Sequence, residues 1–340
     1  MTKEIKQIKK GALRRRLAIG TAGARSGIGL LQSRASGLLL PKAEREQHNL
    51  EALEREAMRF VAHLGELKGA YVKIGQMLAL YGEHLLPEPI TKALHTLEHQ
   101  TSSLAWTAIK PHIENLLAEK TAQIEIEESA FAAASLAQVH RAKVMGADGQ
   151  QCIKIQYPGI SDAIDSDFDS VVQMLKLAKW LKAGRDAEQF TSQLKTYLLQ
   201  EADYRHELAC LEEISEYLRP DSRYIVPKTY HEFCNDKCLV MDYVDGYAVT
   251  DARVQNLSQE RRNNLAEAML ALFFKEIFVW NKMQTDPNFG NYRIQIGETK
   301  DQLVLLDFGA VHVLPETRRA PLLHVVLGRQ RPKPGRQSHL

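Results

Sequence analysis

The sequence lacks the features that mark several large classes of protein. No run approaches the ~20 apolar residues that a membrane-spanning helix needs, because Arg25 and Arg34 interrupt the Leu-, Gly- and Ala-rich stretch at residues 17–40. The four cysteines, at positions 152, 210, 234 and 238, include no Cys-x-x-Cys pair and have no His cluster beside them. This pattern excludes a zinc-type ligand set, gives no disulfide framework, and predicts buried thiols in a reducing compartment.

Acidic residues are scarce at the start of the chain. Glu4 is the only one among the first 34 residues, which contain Lys3, Lys6, Lys9, Lys10, Arg14, Arg15, Arg16, Arg25 and Arg34. Such a segment is attracted to an anionic surface, but it also has the composition of a transit peptide. Residues 1–40 are therefore predicted to be a targeting leader or a membrane-contact tail. No aromatic residue accompanies the basic ones, as stacking on bases requires, so we expect no nucleic-acid partner.

Hydrophobic periodicity divides the rest of the chain into a helical part and a mixed part. Apolar residues recur at three- and four-residue steps from Phe60 to Leu78, which predicts amphipathic helices over residues 41–118. The predicted elements that follow are strands at 123–127, 138–144 and 151–156, helices in about three pieces at 164–218 with a break at Gly184, strands at 225–233 and 237–244, a helix at 258–280, a polar loop at 284–291, and strands at 292–296 and 302–306.

Residues suited to phosphoryl transfer are concentrated towards the end of the sequence. Asp286 precedes Asn291 by five residues, and the apolar strand at 303–306 leads into Asp307-Phe308-Gly309. Phosphoryl transfer needs an Asp near the nucleophile and an Asn and an Asp on magnesium, and kinases space the first two in this way. Asp-Pro-Asn is also a common turn sequence. Order, spacing and strand context together favour Asp286 as the catalytic group and Asn291 and Asp307 as magnesium ligands.

A lysine within an apolar strand is the second candidate for a functional residue. Lys154 lies in the predicted strand 151–156, where it matches the kinase lysine that holds the nucleotide phosphates. The alternative is a lysine that points to solvent from an edge strand. Its carboxylate partner is expected on a later helix, where Glu201, Asp203 and Glu207 are candidates. Within one helix, Asp203 and Glu207 would share a face.

The segment that should cover the phosphates lacks glycine. The residues there are Ala132, Ala133, Ala134 and Ser135. Alanine does not share the access of glycine to positive φ, so the backbone is expected to wrap a nucleotide differently from a glycine-rich loop. Alanine is also the best helix former, so a short helix that presents its N-terminal amides to phosphate is an open alternative.

The order of these elements predicts an α+β, protein-kinase-like fold with two lobes. We assign residues 41–118 to a helical extension, 119–245 to a small lobe with a helical insert, and 246–340 to a large lobe. Met241 and Asp242, which precede the hinge-like Asp245-Gly246, join the predicted nucleotide-binding residues. A kinase large lobe continues well beyond its Asp-Phe-Gly motif, so this one is expected to be shortened, with an unstructured basic tail from residue 328.

Motifs spread over residues 60–312 resemble those of the UbiB/ADCK family of atypical kinase-like proteins. Tyr71-Val-Lys-Ile-Gly-Gln76 is similar to the KxGQ motif of that family, and residues 132–140, Ala-Ala-Ala-Ser-Leu-Ala-Gln-Val-His, to its alanine-rich loop. Glu201-Ala-Asp203 is similar to the ExD motif, and Gln284-Thr-Asp-Pro-Asn288 to a form of the catalytic loop. This loop resembles the mitochondrial branch and its bacterial relatives more than the branch with a His in the loop.

The resemblance implies a particular active site. The KxGQ helices are expected to fold over the nucleotide, with Lys73 and Gln76 lining the site and Lys73 paired with Asp286, Glu201 or Asp307. ATP and Mg²⁺ are the implied cofactors. The alanine-rich loop is expected to disfavour protein phosphorylation and to permit ATP hydrolysis.

The biological role also comes from the resemblance alone. It implies ubiquinone (coenzyme Q) biosynthesis, with an anionic membrane surface, isoprenoid-quinone intermediates and ubiquinone-biosynthesis proteins as partners, and it leaves a homodimer open. The implied location is cytoplasmic, peripheral on the inner face of a bacterial membrane, or on the matrix side in a mitochondrion. The leading hypothesis is an ATPase or small-molecule kinase in which Glu207 or Glu201 orients Lys154. The alternatives are a nucleotide-sensing lipid- or complex-binding module and, third, a conventional protein kinase.

Overall fold

Contacts within the chain group its residues into two compact units. The first comprises residues up to 206 together with 229–243, and the second comprises 207–228 and the residues from 244 onward. The computed structural model describes residues 41–97, 103–181, 184–286, 288–317, 319 and 321–322. The predicted leader at 1–40 and the basic tail from residue 328 lie outside the described residues.

The described part of the first unit begins with four helices, as the periodicity predicted. They are α1 (Lys42–Leu67), α2 (Ala70–Tyr81), α3 (Glu88–His95) and α4 (Trp106–Leu117). Helix α2 carries apolar or small residues on most of its sides, so it is buried between its neighbours, with Tyr71, Ile74 and Leu78 inaccessible to solvent. Helix α3 starts directly after Pro87, a residue that fits a helix start but not a helix interior.

A four-stranded antiparallel sheet follows in the first unit. Its order is β1-β2-β3-β5, with β1 at Ile124–Ala133, β2 at Ala137–Val144, β3 at Gln151–Gln156 and β5 at Cys238–Asp242. Because side chains alternate between the two faces of a strand, Ile153 and Ile155 enter the main apolar core of the unit. Lys154 therefore lies on the opposite face of the sheet.

Three helices lie between β3 and β5 in sequence, and the predicted division into three pieces is confirmed. They are α5 (Ile160–Leu177), α6 (Arg185–Glu201) and α7 (Tyr204–Leu218), and α6 starts at the predicted break, Gly184. Helix α5 packs on α2, where the hydroxyl of Tyr71 donates a hydrogen bond of 2.9 Å to Asp167, both side chains being buried. A buried carboxyl group needs such a donor.

The second unit is built from small sheets, one long helix and most of α7. Its elements are β4 (Tyr224–Ile225), α8 (Ala252–Gln255), α9 (Gln259–Phe278), β6 (Lys282–Gln284), β7 (Tyr292–Gln295), β8 (Gln302–Leu305) and β9 (Val311–Val313). The predicted hairpin of β7 and β8 is confirmed, and β4 adds to β8 in parallel. Strands β6 and β9 form a separate antiparallel pair. Among the described helices, none has both the length and the apolar character required to cross a bilayer.

Two sequence predictions about strands were wrong, and one pair of strands was missed. The strand expected at 225–233 is reduced to β4 and a single 3₁₀ turn at His231–Phe233, in a segment where Pro227 cannot donate to a ladder. Strand β1 continues beyond residue 127 to Ala133, with irregular pairing between Ile126 and Ala132. The short pair β6 and β9 was not predicted, because three-residue strands with a distant partner leave no local pattern.

Candidate active site

Lys154 lies on an interior strand, between β2 and β5. Its register partners are Val139 on β2 and Leu239 on β5, and its Nζ lies 5.1 Å from the ring centroid of Tyr204. A cation at this distance from an aromatic face is attracted to the ring. The alternative of a solvent-directed lysine on an edge strand is therefore wrong.

The alanine-rich segment forms the turn between β1 and β2. Ala133 pairs with Gln138 across the two strands, and the backbone N–H of Ala134 donates to the carbonyl of Ala137 at 2.8 Å. None of residues 132–138 has a positive φ, so this turn has no position that requires glycine. The alternative of a short helix is wrong, because β1 continues to Ala133.

The side chain of Gln138 anchors this hairpin to the segment before α4. Its Oε1 accepts the backbone N–H of Leu104 at 2.7 Å and its Nε2 donates to the carbonyl of Leu104 at 3.3 Å. The same Nε2 lies 2.7 Å from Nε2 of His140, whose Nδ1 lies 2.7 Å from the carbonyl of Glu127. The neutral ring with its proton on Nδ1 satisfies both contacts. Consistently, burial lowers the pKa of His140 below its ordinary value of 6.5.

Lys73 of the KxGQ motif forms an ion pair with Glu201 of the ExD motif. The distance from Nζ of Lys73 to Oε1 of Glu201 is 2.6 Å, and the two side chains are 14% and 27% exposed. Glu201 is the last residue of α6, so the pair connects α2 to the end of that helix. Of the three partners that the resemblance left open for Lys73, the structure has Glu201.

The other two KxGQ positions hold α2 against its neighbours. Gln76 donates a 3.0 Å hydrogen bond from Nε2 to the carbonyl of Leu97. A Cβ atom on Gly75 would lie 2.3 Å from Cδ1 of Leu97 and 3.5 Å from side-chain atoms of Leu64 and Leu94. A side chain at this position would require Leu97 to move, so Gly75 permits a close contact between α2 and the side chain of Leu97, which is a packing role that the motif alone did not indicate.

Asp203 of the ExD motif caps helix α7. Its Oδ1 accepts the backbone N–H groups of Arg205 and His206 at 3.1 and 3.2 Å, which are donors that the first turn of a helix cannot satisfy internally. Because Asp203 lies before the helix begins, the expectation that it shares a helix face with Glu207 was wrong.

Glu207, in the first turn of α7, belongs to the second unit and is fully buried. Its Oε2 lies 3.4 Å from the place where a Cβ atom on Gly309 would be, and Oδ1 of Asp307 lies 3.4 Å from the same place. Two carboxyl groups therefore approach the glycine of the Asp-Phe-Gly motif. A side chain at that position would lie in van der Waals contact with both of them.

Gln284 joins the catalytic loop to the Asp-Phe-Gly segment. Its Oε1 accepts the backbone N–H of Asp286 at 3.2 Å, and its Nε2 donates to the carbonyl of Asp307 at 2.9 Å. The next residue, Thr285, donates both its backbone N–H and its hydroxyl to the carbonyl of Ala310. The sequence motif that contains Gln284 did not indicate this bridging role, since the two partners of its side chain lie on different segments.

Asn291 and Asp307 lie at the same end of the β7–β8 ladder. Tyr292 pairs with Leu305, and the backbone N–H of Leu306 donates to the carbonyl of Asn291 at 3.0 Å. The predicted magnesium ligands are therefore neighbours across one hairpin.

The donor set at this end of the hairpin fits a magnesium ion that also binds phosphate. The buried side-chain nitrogen of Asn291 has no hydrogen-bond partner, and the two ends of an amide are interchangeable in such a placement. Asn291 can therefore turn its oxygen towards a cation beside the carboxylate of Asp307. Within the described ranges, no group of three or more His, Cys, Asp or Glu side chains could hold a metal ion. Magnesium typically takes one or two carboxylates plus phosphate oxygens.

Negative charge accumulates around Tyr292 in the second unit. Burial raises the pKa of its hydroxyl to about 12, and the carboxyls of Glu276, Asp286 and Asp307 act in the same direction. Glu276 is itself buried on α9, and burial raises its pKa to about 7 although the backbone N–H of Gln284 donates to it. This concentration of carboxyl groups favours the binding of cations.

The predicted nucleotide-binding residues Met241 and Asp242 end strand β5. Met241 is buried and pairs with Cys152 in the sheet. Asp242 accepts a 2.8 Å hydrogen bond from the hydroxyl of Tyr230, which also receives one from Gln151. The side chain of Asp242 is thus held within the first unit, and its role towards a nucleotide stays a prediction.

Comparison with known proteins gives one family match over most of the chain. Residues 96–330 match the ABC1 atypical kinase-like domain. The rat protein named "Atypical kinase COQ8B, mitochondrial" is 34% identical over 260 residues, which are 76% of this chain and 48% of the relative. The Saccharomyces cerevisiae protein named "Atypical kinase COQ8, mitochondrial" is 30% identical over 255 residues, or 74% and 50% of the two chains. The chain spans about half the length of these curated relatives.

A solved structure agrees with the predicted fold class. It is described as the complex of Rv3197 with erythromycin from Mycobacterium tuberculosis, and it superposes with a TM-score of 0.54 at 22% sequence identity. The match covers 86% of this chain and 78% of the other. Together with the family match, this likeness confirms an α+β, kinase-like fold.

Proposed function

Since the chain belongs to the UbiB/ADCK family of atypical kinases, which carries the ABC1 domain, we propose that it binds ATP with magnesium and hydrolyses or transfers the terminal phosphate. The observation that carries the proposal is the double contact of Gln284 with Asp286 and Asp307. One side-chain amide thus holds the backbone N–H of the candidate catalytic residue Asp286 and the backbone carbonyl of the candidate metal ligand Asp307.

The proposed roles follow the chemistry of each residue. Asp286 accepts a proton from the attacking hydroxyl or orients an attacking water, and Lys154 holds the phosphates. Asn291 and Asp307 would hold magnesium, which supplies charge neutralisation on the phosphate oxygens when bound. Which of Glu201 and Glu207 orients Lys154 stays a prediction.

The alanine-rich turn supports ATP hydrolysis rather than phosphorylation of a protein. Its backbone has no left-handed residue and is anchored through Gln138 to the segment before α4. A turn anchored in this way is less adaptable than a glycine-rich loop, which gains its freedom from unrestricted φ. We therefore expect a narrow substrate range and no general protein-kinase activity.

The biological assignment is ubiquinone biosynthesis at a membrane. The relatives are named as mitochondrial atypical kinases COQ8B and COQ8, and the basic N-terminal residues of this sequence would favour an anionic surface. Flotation of the full chain with vesicles of phosphatidylcholine and phosphatidylserine, at low and high salt, tests the membrane part. Binding that is absent at low salt would contradict it.

Phosphate release from ATP tests the enzymatic part. We expect Asp307→Asn and Asp286→Asn to lower the rate by about 10²- to 10⁴-fold, the range for loss of a positioned acid–base group or charge. Glu298→Gln is the matched control, because Glu298 is exposed on the same β7–β8 hairpin, at its turn. Full turnover by Asp307→Asn would contradict the proposal. Binding of Mg-ATP without turnover by the wild type would indicate a nucleotide-sensing module instead.

A further inference from the structure

Glu276 is a buried carboxyl group that no step of the proposed reaction uses. It lies near the end of helix α9 with 9% of its surface exposed, and Leu272 and Ile277 are buried beside it on the same helix. Burial of a carboxyl group among apolar residues costs free energy unless the group forms hydrogen bonds. The backbone N–H of Gln284 donates a hydrogen bond to Glu276, with its nitrogen 3.3 Å from Oε2.

We propose that Glu276 is a positioning residue for the catalytic loop, and that it acts through Gln284 on Asp286 and Asp307. The inference rests on the proposed ATP-dependent function. Glu276 itself contacts neither the nucleotide nor the metal in this account.

Gln284 is held by two contacts of its backbone. Its backbone pairs with Val311 on one side, and its N–H is bound by the carboxyl of Glu276. Its side-chain oxygen accepts the backbone N–H of Asp286, and its side-chain nitrogen donates to the backbone carbonyl of Asp307. The side-chain amide group is planar, so its oxygen and nitrogen move together. Any displacement of Gln284 therefore shifts both functional residues at once.

A purely structural role for Glu276 is less consistent with its surroundings. An apolar side chain would fill the same space next to Leu272 and Ile277 without a desolvation cost. Instead, a carboxyl group is buried at this position. The hydrogen bond from the backbone N–H of Gln284 offsets part of its desolvation cost.

Steady-state kinetics of three variants test whether Glu276 positions the catalytic loop. Glu276→Met keeps the volume and removes the acceptor, and we expect it to lower kcat about 10- to 100-fold with KM for Mg-ATP within about twofold, as for a misplaced catalytic group. Glu276→Gln keeps an acceptor oxygen and is expected to restore kcat to within about fivefold of the wild type. Glu267→Met is the matched control, because Glu267 is exposed on the same helix.

Hydrogen exchange at the Gln284 amide gives a readout that does not depend on turnover. We expect exchange to be about fivefold faster or more in Glu276→Met, because one hydrogen bond is lost, and nearly unchanged in Glu276→Gln. If Glu276→Met does not fold, Gln284→Leu should lower kcat in the same way with KM unchanged.

Two results would overturn the proposal that Glu276 positions the catalytic loop. One is an unchanged kcat in folded Glu276→Met, and the other is a Glu276→Gln variant as defective as Glu276→Met. A wild type that shows no turnover would contradict the proposed function alone, since the exchange rate at Gln284 would still decide whether Glu276 holds the loop.

Discussion

The ion pair between Lys73 and Glu201 allows a quantitative test, because a second pair in the same unit has the same length. Lys73 to Glu201 and Lys92 to Glu88 are both 2.6 Å apart. The side chains of the first pair are 14% and 27% exposed, and those of the second are 73% and 75% exposed. The two ion pairs therefore have the same N–O distance and differ in the burial of their side chains.

The expected coupling energy of the half-buried pair follows from Coulomb's law and its offsets. At 2.6 Å, two unit charges attract by about 1.6 kcal/mol at the dielectric constant of water and by about 6 kcal/mol at an effective constant of 20. Desolvation and loss of side-chain freedom cancel most of the larger value. We expect a net coupling free energy of about 1–2 kcal/mol between Lys73 and Glu201, within the range measured for residues in contact.

A double-mutant cycle in urea measures this coupling. The variants are Lys73→Met, Glu201→Gln and the double variant, with Lys92→Met and Glu88→Gln as the matched exposed cycle. The exposed pair should show a coupling indistinguishable from zero in 0.5 M NaCl, because salt screens exposed charges. Equal couplings in the two cycles would refute the reasoning that burial makes the Lys73 pair strong.

Three further predictions concern pH and backbone strain. The folded-state pKa of His140 is lowered, so its contribution to stability is complete above its unfolded pKa of about 6.5 and is lost as the pH falls below it. His140→Gln should flatten this part of a urea-midpoint profile. The folded-state pKa of Glu276 is raised to about 7, so ionisation of this carboxyl destabilises the fold as the pH rises from about 4.5 through 7. The urea midpoint of Glu276→Gln should therefore exceed that of the wild type by more at pH 8 than at pH 5. Ala118 has a φ of 49°, and Gly159 has a φ of 73° with open space around it. In the same assay, Ala118→Gly should therefore stabilise the fold and Gly159→Ala should destabilise it, by about 1 kcal/mol each. The opposite signs would contradict the assignment of backbone strain to these positions.

The sequence predicted the elements whose own pattern is strong. The helical division at Gly184, strand β3 around Lys154, and the hairpin that ends in Asp307 were all recognised, because apolar periodicity and turn residues are local signals. The order of the chemistry-bearing residues then led to the correct fold class.

Long-range contacts were out of reach of the sequence. The hydrogen bonds of Gln138 to Leu104 and of Gln284 to Asp286 and Asp307 join segments whose pairing depends on tertiary packing. Asp203 was misread as a helix-face residue, since an Asp at a helix start and an Asp within a helix look alike when the break after α6 is not foreseen. The close contact between Gly75 and the side chain of Leu97 is likewise visible only in the folded structure.

Thermal unfolding with and without Mg-ATP tests the central claim most directly. At about 100 times its dissociation constant, a ligand stabilises the folded state by about 2.7 kcal/mol, which corresponds to a rise in Tm on the order of 5 °C for a chain of this size. We predict this rise for the wild type and for Glu298→Gln, and its loss in Asp307→Asn. A cooperative transition whose Tm does not respond to Mg-ATP, or an equal rise in Asp307→Asn, would contradict the assignment of the nucleotide and magnesium site.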